Sequence, residues 1–290
     1  MPMRSRRFAI TATDRYLGVL DAFLEHGWTP VKLFTCATDD RIHQNKAVIA
    51  RAEALKIDIQ LSRMDDRALA DLADRDCDLL VVASYRWRIG NWQAHLPKAI
   101  NFHPSPLPYG RGPYPLVEGI LSSQLLWGAT CHKVGQDFDT GDILAQKLFK
   151  TAADETHESL DLKTQMATHH LARTVASELD PLWEHAKPQG AGQYVPYWTD
   201  AQRTLNFNDS IQTLDRQIRA FGRWEVLAQV NQAVLHVHRA QCWNELHSYA
   251  PGTLVHSDGQ RFVVACADGF VALLEWHLMG AEMATGTPIR

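Results

Sequence analysis

The sequence predicts an α/β fold in which a doubly wound, mostly parallel sheet is followed by a smaller β domain. Three observations lead to this prediction. Short apolar runs alternate with amphipathic segments over residues 8–185, a stretch rich in glycine and proline follows at 187–196, and short strands separated by glycines occupy the remainder. The 290 residues are enough for two modest domains, each with its own core.

The first part of the chain consists of predicted strands and helices in alternation. The strands are apolar runs at residues 8–10, 31–36, 57–60, 79–83, 98–102, 127–134 and 143–148. The helices carry apolar residues at helical spacing, at residues 16–26, 47–55, 65–72, 113–123 and 156–185. The run at 79–83 is apolar at every position, which is typical of a strand buried on both faces of a parallel sheet.

Residues 187–196 have the composition of a linker, so we place the domain boundary there, between residues 1–186 and 197–290. Beyond it, a predicted helix at 211–220 precedes predicted strands at 233–238, 252–256, 260–266 and 270–275. Short strands at this spacing favour a small β-barrel or sandwich.

Composition excludes several classes of protein. Charged residues make up 21% of the chain, and no apolar run approaches the roughly 20 residues of a membrane span. The basic start meets Asp14 and Arg15 too soon for a signal peptide, and the five cysteines are scattered. We expect a cytoplasmic protein with reduced thiols, no membrane partner and no metal, because the paired histidines at 169–170 and 236–238 lack further ligands at motif spacing.

The segment 101–115 is the part of the sequence that is least explained by the packing of a hydrophobic core. Asn101 and His103 are two residues apart at the end of a predicted strand, so their side chains leave the pleat on the same side. In an open α/β sheet this carboxyl end borders the binding crevice. Five prolines and two glycines in residues 104–115 make a stiff loop that suits the wall of a site.

A second segment, 137–142, holds three carboxylates in six residues. A carboxylate beside an imidazole fixes its tautomer and raises its pKa, and a buried carboxylate can pass a proton. An Asn, a His and an Asp together are suited to hold a carbonyl oxygen, stabilise its developing charge and move one proton. Taken singly, either segment is more often structural, and a calcium loop is excluded because no Glu follows Gly141 at the required position.

The combination resembles the folate-dependent formyltransferases, whose pattern is Asn-x-His-x-Ser-x-Leu-Pro, then Arg-Gly, then Asp-x-Gly about thirty residues later. The matching positions are Asn101, His103, Ser105, Leu107, Pro108, Arg111, Gly112, Asp139 and Gly141. The resemblance covers residues 8–143 and implies a Rossmann-like formyltransferase domain that uses 10-formyltetrahydrofolate as co-substrate. It also implies that Asn101, His103 and Asp139 are the catalytic set.

The resemblance further implies which residues surround the substrates. The pterin is expected against two loops, with the candidate contacts Ser84, Tyr85, Arg86, Trp87, Arg88, Ile89, Gln136, Asp137, Phe138 and Gly141. Second-rank candidates for the substrate side are His132, Ser105, Tyr109 and Arg111. From the residues alone, His132 is equally well explained as a core histidine, and the Arg-Trp-Arg at 86–88 as a solvated loop.

The expected reaction is attack of a neutral amine on the formyl carbon. Asn101 and protonated His103 would donate hydrogen bonds to the developing oxyanion, and Asp139 would sustain the imidazolium and assist proton transfer toward N10 of the folate. The sequence leaves open whether His103 acts first as a base or as an electrostatic stabiliser.

The C-terminal part is similar to the OB-like domain of the methionyl-tRNA branch of the family, at Asn206-Phe207-Asn208 and at residues 218–222 and 251–253. Charge favours a different acceptor. Residues 197–290 hold seven arginines, no lysine and nine acidic residues, a net charge of −2, and the preceding 196 residues also carry −2. A domain that binds tRNA neutralises phosphates with a basic face.

The loop at residues 38–43 is short and acidic-leaning, whereas the methionyl-tRNA branch has a longer basic loop at this place. We therefore expect the acceptor to be a small-molecule amine, such as a nucleotide-linked amino sugar or a hydroxylamine. The alternatives are methionyl-tRNA formyltransferase and, in another class, a non-catalytic folate- or oligonucleotide-binding protein. The sequence carries no prediction of oligomeric state.

Overall fold

The computed structural model describes residues 5–36 and 44–279, so the whole loop at 38–43, with its acidic residues, lies outside the described part. The chain divides into two compact units. The larger unit contains most of the first 196 residues. The smaller unit consists mainly of the chain from Tyr197 onward, together with two short segments that come earlier in the sequence, Ile120–Ser123 and Asp154–Glu158. The predicted fold class, a doubly wound α/β domain followed by a smaller β domain, is confirmed.

A seven-stranded sheet with the order β3-β2-β1-β4-β5-β6-β7 forms the centre of the larger unit. The strands are β1 (Arg7–Thr11), β2 (Thr29–Phe34), β3 (Asp58–Gln60), β4 (Leu79–Val82), β5 (Ala99–His103), β6 (Leu126–Lys133) and β7 (Ile143–Lys150). The first five are parallel, and β6 and β7 continue the sheet by antiparallel pairing. The order reverses between β1 and β4, which is the switch point of a doubly wound sheet.

Helices cover both faces of this sheet. They are α1 (Leu17–Glu25), α2 (Lys46–Ala54), α3 (Asp66–Asp74), α4 (Pro115–Leu121) and α5 (His157–Glu184). Alternate residues of the central strands enter two separate cores: Phe8 and Ile10 pack with α1 and α5, whereas Ala9 and Leu80 pack with α3. Double-sided burial explains why β4 is apolar at every position, as the sequence predicted.

The smaller unit is built on a five-stranded antiparallel sheet with the order β10-β11-β12-β9-β8. Its elements are α6 (Asp200–Arg203), α7 (Ile211–Glu225), β8 (Leu227–Val230), β9 (Ala233–Asn244), β10 (Leu254–Ser257), β11 (Phe262–Ala265) and β12 (Gly269–Leu278). The sequence analysis missed α6 and β8, since four residues carry too little periodicity to be recognised. No described helix is long and apolar enough to cross a membrane.

Candidate active site at the end of β5

Strand β5 carries Asn101 and His103 on one face, as their spacing predicts. The neighbouring strand β6 runs antiparallel and places His132 directly opposite Asn101. Both imidazoles are buried, with exposed fractions of 5% for His103 and 2% for His132. The rigid pairing of two inner strands therefore sets the positions of these three side chains.

Asp139 reaches the same point from the turn between β6 and β7. Its Oδ1 accepts a hydrogen bond from Asn101 Nδ2 at 3.1 Å and lies 3.4 Å from His103 Nδ1 and 3.6 Å from His132 Nε2. Its Oδ2 accepts from the backbone N–H of Gly112 at 2.9 Å. The structure thus brings the predicted set of Asn101, His103 and Asp139 together, with His132 in contact.

The backbone partners of the two imidazoles define their tautomers. His103 Nε2 lies 2.8 Å from the Gly110 carbonyl, which can only accept, so Nε2 carries the hydrogen. His132 Nδ1 lies 2.8 Å from the Lys133 carbonyl and carries the hydrogen for the same reason. The neutral His103 therefore turns the lone pair of Nδ1 toward Asp139, and Nδ1 is the atom that takes up a proton.

Asn101 is engaged through both of its amide hydrogens. Besides the bond to Asp139, its Nδ2 lies 3.0 Å from His132 Nε2, which has a lone pair in this tautomer. The amide can therefore donate to a substrate oxygen only when one of these two partners is exchanged for it. The two contacts together determine the orientation of the amide, because in the opposite orientation its oxygen would face the Asp139 carboxylate and the lone pair of His132 Nε2.

Burial and mutual charge set the ionisation of the pair. Burial lowers the pKa of His103 below its usual value, although Asp139 acts to raise it and His132 to lower it. Burial by itself would raise the pKa of Asp139, but the imidazoles of His103 and His132 and the Gly112 N–H overcome this and lower it to about 2. At neutral pH the site thus holds a carboxylate beside a neutral imidazole, with a place for one proton between them.

Two glycines allow the loops of the site to approach closely. A Cβ on Gly141 would lie 1.9 Å from the Lys133 carbonyl oxygen, and one on Gly112 would lie 2.3 Å from that of Val195. Gly112 also has a φ of +99°, and Asp139 itself has a φ of +57°. The Asp139 turn is therefore tightly packed and carries backbone strain at the residue that supplies the carboxylate.

Three of the second-rank candidates bind other parts of the protein. Ser105 is fully buried and its Oγ donates to the Tyr109 carbonyl at 2.8 Å. The Tyr109 hydroxyl donates to Glu118 at 3.3 Å. The Arg111 guanidinium donates to Gln189 Oε1 at 2.9 and 3.1 Å and to the Gly190 carbonyl at 3.0 Å. These contacts stabilise the loop that surrounds His103.

The two loops assigned to the pterin by resemblance are joined by Arg88. Its guanidinium donates to the Gln136 carbonyl and lies 3.5 Å from Asp137. Within the first loop, Trp87 packs edge-on against Tyr85 at 5.3 Å, and the Arg86 guanidinium lies 5.7 Å from the centre of the Trp87 ring. The remaining candidates divide by exposure: Ser84 and Ile89 are half-buried, whereas Gln136 and Phe138 are exposed.

The sequence analysis missed Gln189. Its Nε2 donates to the carbonyl oxygens of Asp139 and Gly141, at 2.9 and 2.7 Å, while its Oε1 accepts from Arg111. It lies within residues 187–196, whose composition predicts a linker, and a lone glutamine there carries no pattern that identifies a site. No group of three His, Cys, Asp or Glu side chains among residues 5–36 and 44–279 is arranged to hold a metal ion.

Two family models match the chain. The model described as formyl transferase matches residues 34–175, and the model described as formyl transferase, C-terminal domain, matches residues 198–289. Among curated relatives, the methionyl-tRNA formyltransferase of Myxococcus xanthus is 30% identical over 71% of this chain and 67% of its own length. That of Thiobacillus denitrificans is 28% identical over 75% of this chain and 72% of its own length.

Two solved structures with the same fold contain folate compounds, and one of them also contains a nucleotide-linked amino sugar. An N-formyltransferase from Helicobacter canadensis, in complex with folinic acid and dTDP-3-aminofucose, superimposes with a TM-score of 0.68 at 15% identity, covering 94% of this chain and all of the other. HypX from Aquifex aeolicus, in complex with tetrahydrofolic acid, has a TM-score of 0.65 at 16% identity over 92% of this chain. The chain spans only 43% of the length of HypX. At these identities the two structures establish a shared fold.

Proposed function

The chain belongs to the formyltransferase family, and we propose that it transfers the formyl group of 10-formyltetrahydrofolate to the amine of a small molecule. The acceptor classes that we favour are nucleotide-linked amino sugars and hydroxylamines. The folate donor is supported by the two solved structures of the same fold that contain folinic acid or tetrahydrofolic acid.

The charge of the smaller unit carries the choice of acceptor. It has no lysine, and four of the six arginines among its described residues form ion pairs with carboxylates of the same unit. These pairs are Arg203–Glu225, Arg219–Asp215, Arg239–Glu275 and Arg261–Asp258. A surface whose arginines are neutralised in this way offers little attraction to a phosphate backbone.

The residues around Arg88 fit a folate. A pterin is flat and aromatic and carries hydrogen-bonding edges, so it needs a planar apolar surface next to backbone polar groups. The Trp87 ring and the half-exposed Phe138 supply the planar apolar surface, and the loop backbone at 136–138 supplies the polar groups. The bound donor supplies a one-carbon group whose carbonyl oxygen gains negative charge when an amine nitrogen attacks it.

In this proposal the protein supplies charge stabilisation and a path for one proton. His103 takes the proton at Nδ1, since Nε2 is committed to Gly110, and the resulting imidazolium is stabilised by Asp139 at 3.4 Å. Asn101 holds the carboxylate against the imidazole and donates to the substrate oxygen once it gives up the contact with His132. The bond between the formyl carbon and the amine nitrogen forms and the bond to N10 of the folate breaks, and the proton that the amine loses passes through His103 Nδ1 to N10.

Methionyl-tRNA formyltransferase is the second candidate function, because two curated relatives at 28–30% identity have this activity in their names. Matching of both the N-terminal and the C-terminal family models also agrees with it. The two candidates make opposite predictions about salt. Transfer to charged initiator tRNA should fall steeply between low and moderate salt, because phosphate contacts release counterions, whereas transfer to a small amine should change little.

A panel of amines tests the proposal. The full-length chain is incubated with 10-formyltetrahydrofolate and, separately, with nucleotide-linked amino sugars, hydroxylamines and charged initiator tRNA, at low and moderate salt. We expect release of tetrahydrofolate with at least one small amine, and roughly 100- to 1,000-fold slower release from the Asn101→Ala variant. Efficient, salt-sensitive formylation of the tRNA with no small-molecule acceptor would overturn the choice of acceptor, and folate binding without any transfer would overturn the enzymatic role.

A further inference from the structure

Residues 187–195, which we call the strap, are hydrogen-bonded along the two loops of the site. At one end Lys187 exchanges two backbone hydrogen bonds with Ile143, the first residue of β7, at 2.8 and 2.9 Å. At the other end the Arg111 N–H donates to the Gln193 carbonyl at 2.9 Å, and the Val195 N–H donates to the Arg111 carbonyl at 2.6 Å. The strap thus connects the strand that follows the Asp139 turn with the loop that follows His103.

Gln189 is the residue of the strap whose side chain contacts both loops at once. Its two amide hydrogens are used by the carbonyls of Asp139 and Gly141, and its oxygen accepts twice from Arg111. A side-chain amide has two donors and two acceptor positions, so its hydrogen-bonding capacity is filled. A filled amide has one orientation, because rotation by 180° would face its oxygen toward two carbonyls and its nitrogen toward a guanidinium.

The strap is held in this position by close packing as well. A Cβ on Gly192 would lie 2.4 Å from the Pro108 carbonyl oxygen and 2.7 Å from Arg111 Cζ, so the backbone of the strap lies directly on the loop after β5. The Gln193 N–H also donates to the Pro108 carbonyl at 3.2 Å. Arg111 and the strap therefore form a fixed support from which Gln189 reaches the Asp139 turn.

We propose that Gln189 is a positioning residue, whose amide holds the backbone of the Asp139 turn so that the carboxylate faces His103. Asp139 has a left-handed backbone conformation that a non-glycine residue adopts at a cost, and its own carbonyl is one of the two groups that Gln189 binds. Gln189 itself contacts none of the three side chains of the proposed catalytic set through their functional groups. It acts on the distance between His103 Nδ1 and Asp139 Oδ1.

This inference rests on the proposed function for its effect on turnover, but its geometric part is tested without any substrate. The charged and titratable groups that face His103 are Asp139, which raises its pKa, and His132, which lowers it. When Asp139 moves away from His103, the raising contribution weakens while burial and His132 remain. The pKa of His103 should then fall.

The experiment uses Gln189→Met in the full-length chain, because methionine keeps the length of the side chain and removes its donors and acceptor. The matched control is Gln193→Ala, an exposed glutamine of the same strap whose amide donates to Glu118 rather than to a loop of the site. We expect NMR titration to place the pKa of His103 at least half a unit lower in Gln189→Met than in wild type. The control should leave it unchanged.

Once an acceptor amine is identified, turnover can be measured as well. Gln189→Met should lower kcat about 10- to 100-fold, which is the size of effect that a misplaced catalytic group produces. The KM for the folate should change less than twofold. Gln189→Glu keeps an acceptor for Arg111, so this variant should fold. It turns a carboxylate oxygen toward the carbonyls of Asp139 and Gly141, so its kcat should fall about as much as that of Gln189→Met. A folded Gln189→Met variant with the wild-type pKa of His103 would overturn the inference. If no amine is ever accepted, the proposed function fails, and the titration still decides whether Gln189 positions Asp139.

Discussion

Asp139 Oδ1 and His103 Nδ1 face each other at 3.4 Å, while the other nitrogen of the imidazole is bound to the Gly110 carbonyl. This relationship leaves one atom of His103 able to change its protonation, and that atom is next to a carboxylate. The ionisation, the proposed chemistry and part of the acid stability of the larger unit all depend on this pair.

Asp139→Asn should lower the pKa of His103, because the carboxylate is the neighbour that raises it against burial and His132. NMR titration of the His103 imidazole in the full-length chain measures the change. Asp142→Asn is the matched control, since Asp142 lies on the same turn but pairs with Lys133 at 3.2 Å. An unchanged His103 pKa in Asp139→Asn would show that the two groups are not coupled.

Asn101→Ala should lower turnover roughly 100- to 1,000-fold, the cost of losing one donor to a developing oxyanion, and His103→Ala should lower it roughly 100- to 10,000-fold, the cost of losing a positioned proton carrier. Removing Asn101 also takes away the hydrogen bonds that its amide donates to Asp139 Oδ1 and His132 Nε2, and we expect a loss of about 1–3 kcal/mol in stability. Steady-state kinetics and circular dichroism separate the two effects. Near-normal turnover in either folded variant contradicts the assigned roles.

Acid should destabilise the larger unit in two separate pH windows. His103 has a lowered pKa in the folded protein, so below about pH 6.5 the unfolded chain binds more protons than the folded one. The free energy of unfolding therefore decreases as the pH is lowered through this window. Asp139, with a pKa of about 2, contributes about 2 kcal/mol above pH 3.8 that is lost as the pH falls toward 2. Urea unfolding across pH should show a flatter dependence between pH 6.5 and 5 in His103→Gln; an unaltered slope would assign that window to other groups.

Gly141→Ala should destabilise the larger unit by about 3 kcal/mol, since a Cβ would overlap the Lys133 carbonyl oxygen and the backbone must shift. Gly190→Ala is the control, because a Cβ there would have no atom within 4 Å and the backbone carbonyl that binds Arg111 is retained. We expect the control to change stability by less than about 0.5 kcal/mol. Equal unfolding midpoints for the two variants would contradict the close approach at Gly141.

Arg88→Met should weaken the binding of folinic acid about fivefold and leave kcat unchanged, because Arg88 joins the two loops assigned to the pterin. The expected change corresponds to about 1 kcal/mol for an exposed hydrogen bond to a carbonyl. Isothermal titration calorimetry measures it. Arg173→Met, which removes an exposed arginine paired with Glu25, should bind folinic acid as wild type does. Unaltered affinity in Arg88→Met would place the pterin elsewhere.

Much of the fold follows from local patterns. Strands and helices of the larger unit begin and end within two residues of the predicted positions, because apolar runs and helical periodicity are properties of short segments. In the smaller unit, α6 and β8 were missed and β9 is six residues longer than predicted, since pairing with β12 extends it beyond its apolar part. Pairing between distant segments is not encoded in either one alone.

The sequence by itself determined the fold class, the formyltransferase resemblance, now confirmed, and the common face of Asn101 and His103, since the two-residue period of a strand requires no knowledge of the rest of the chain. Only the tertiary structure decided the tautomers of His103 and His132, the engagement of Arg111 and the contacts of Gln189. The physical reason is distance along the chain. Gln189 meets carbonyls 48 and 50 residues away, and hydrogen bonds to backbone groups leave no pattern in side-chain identity.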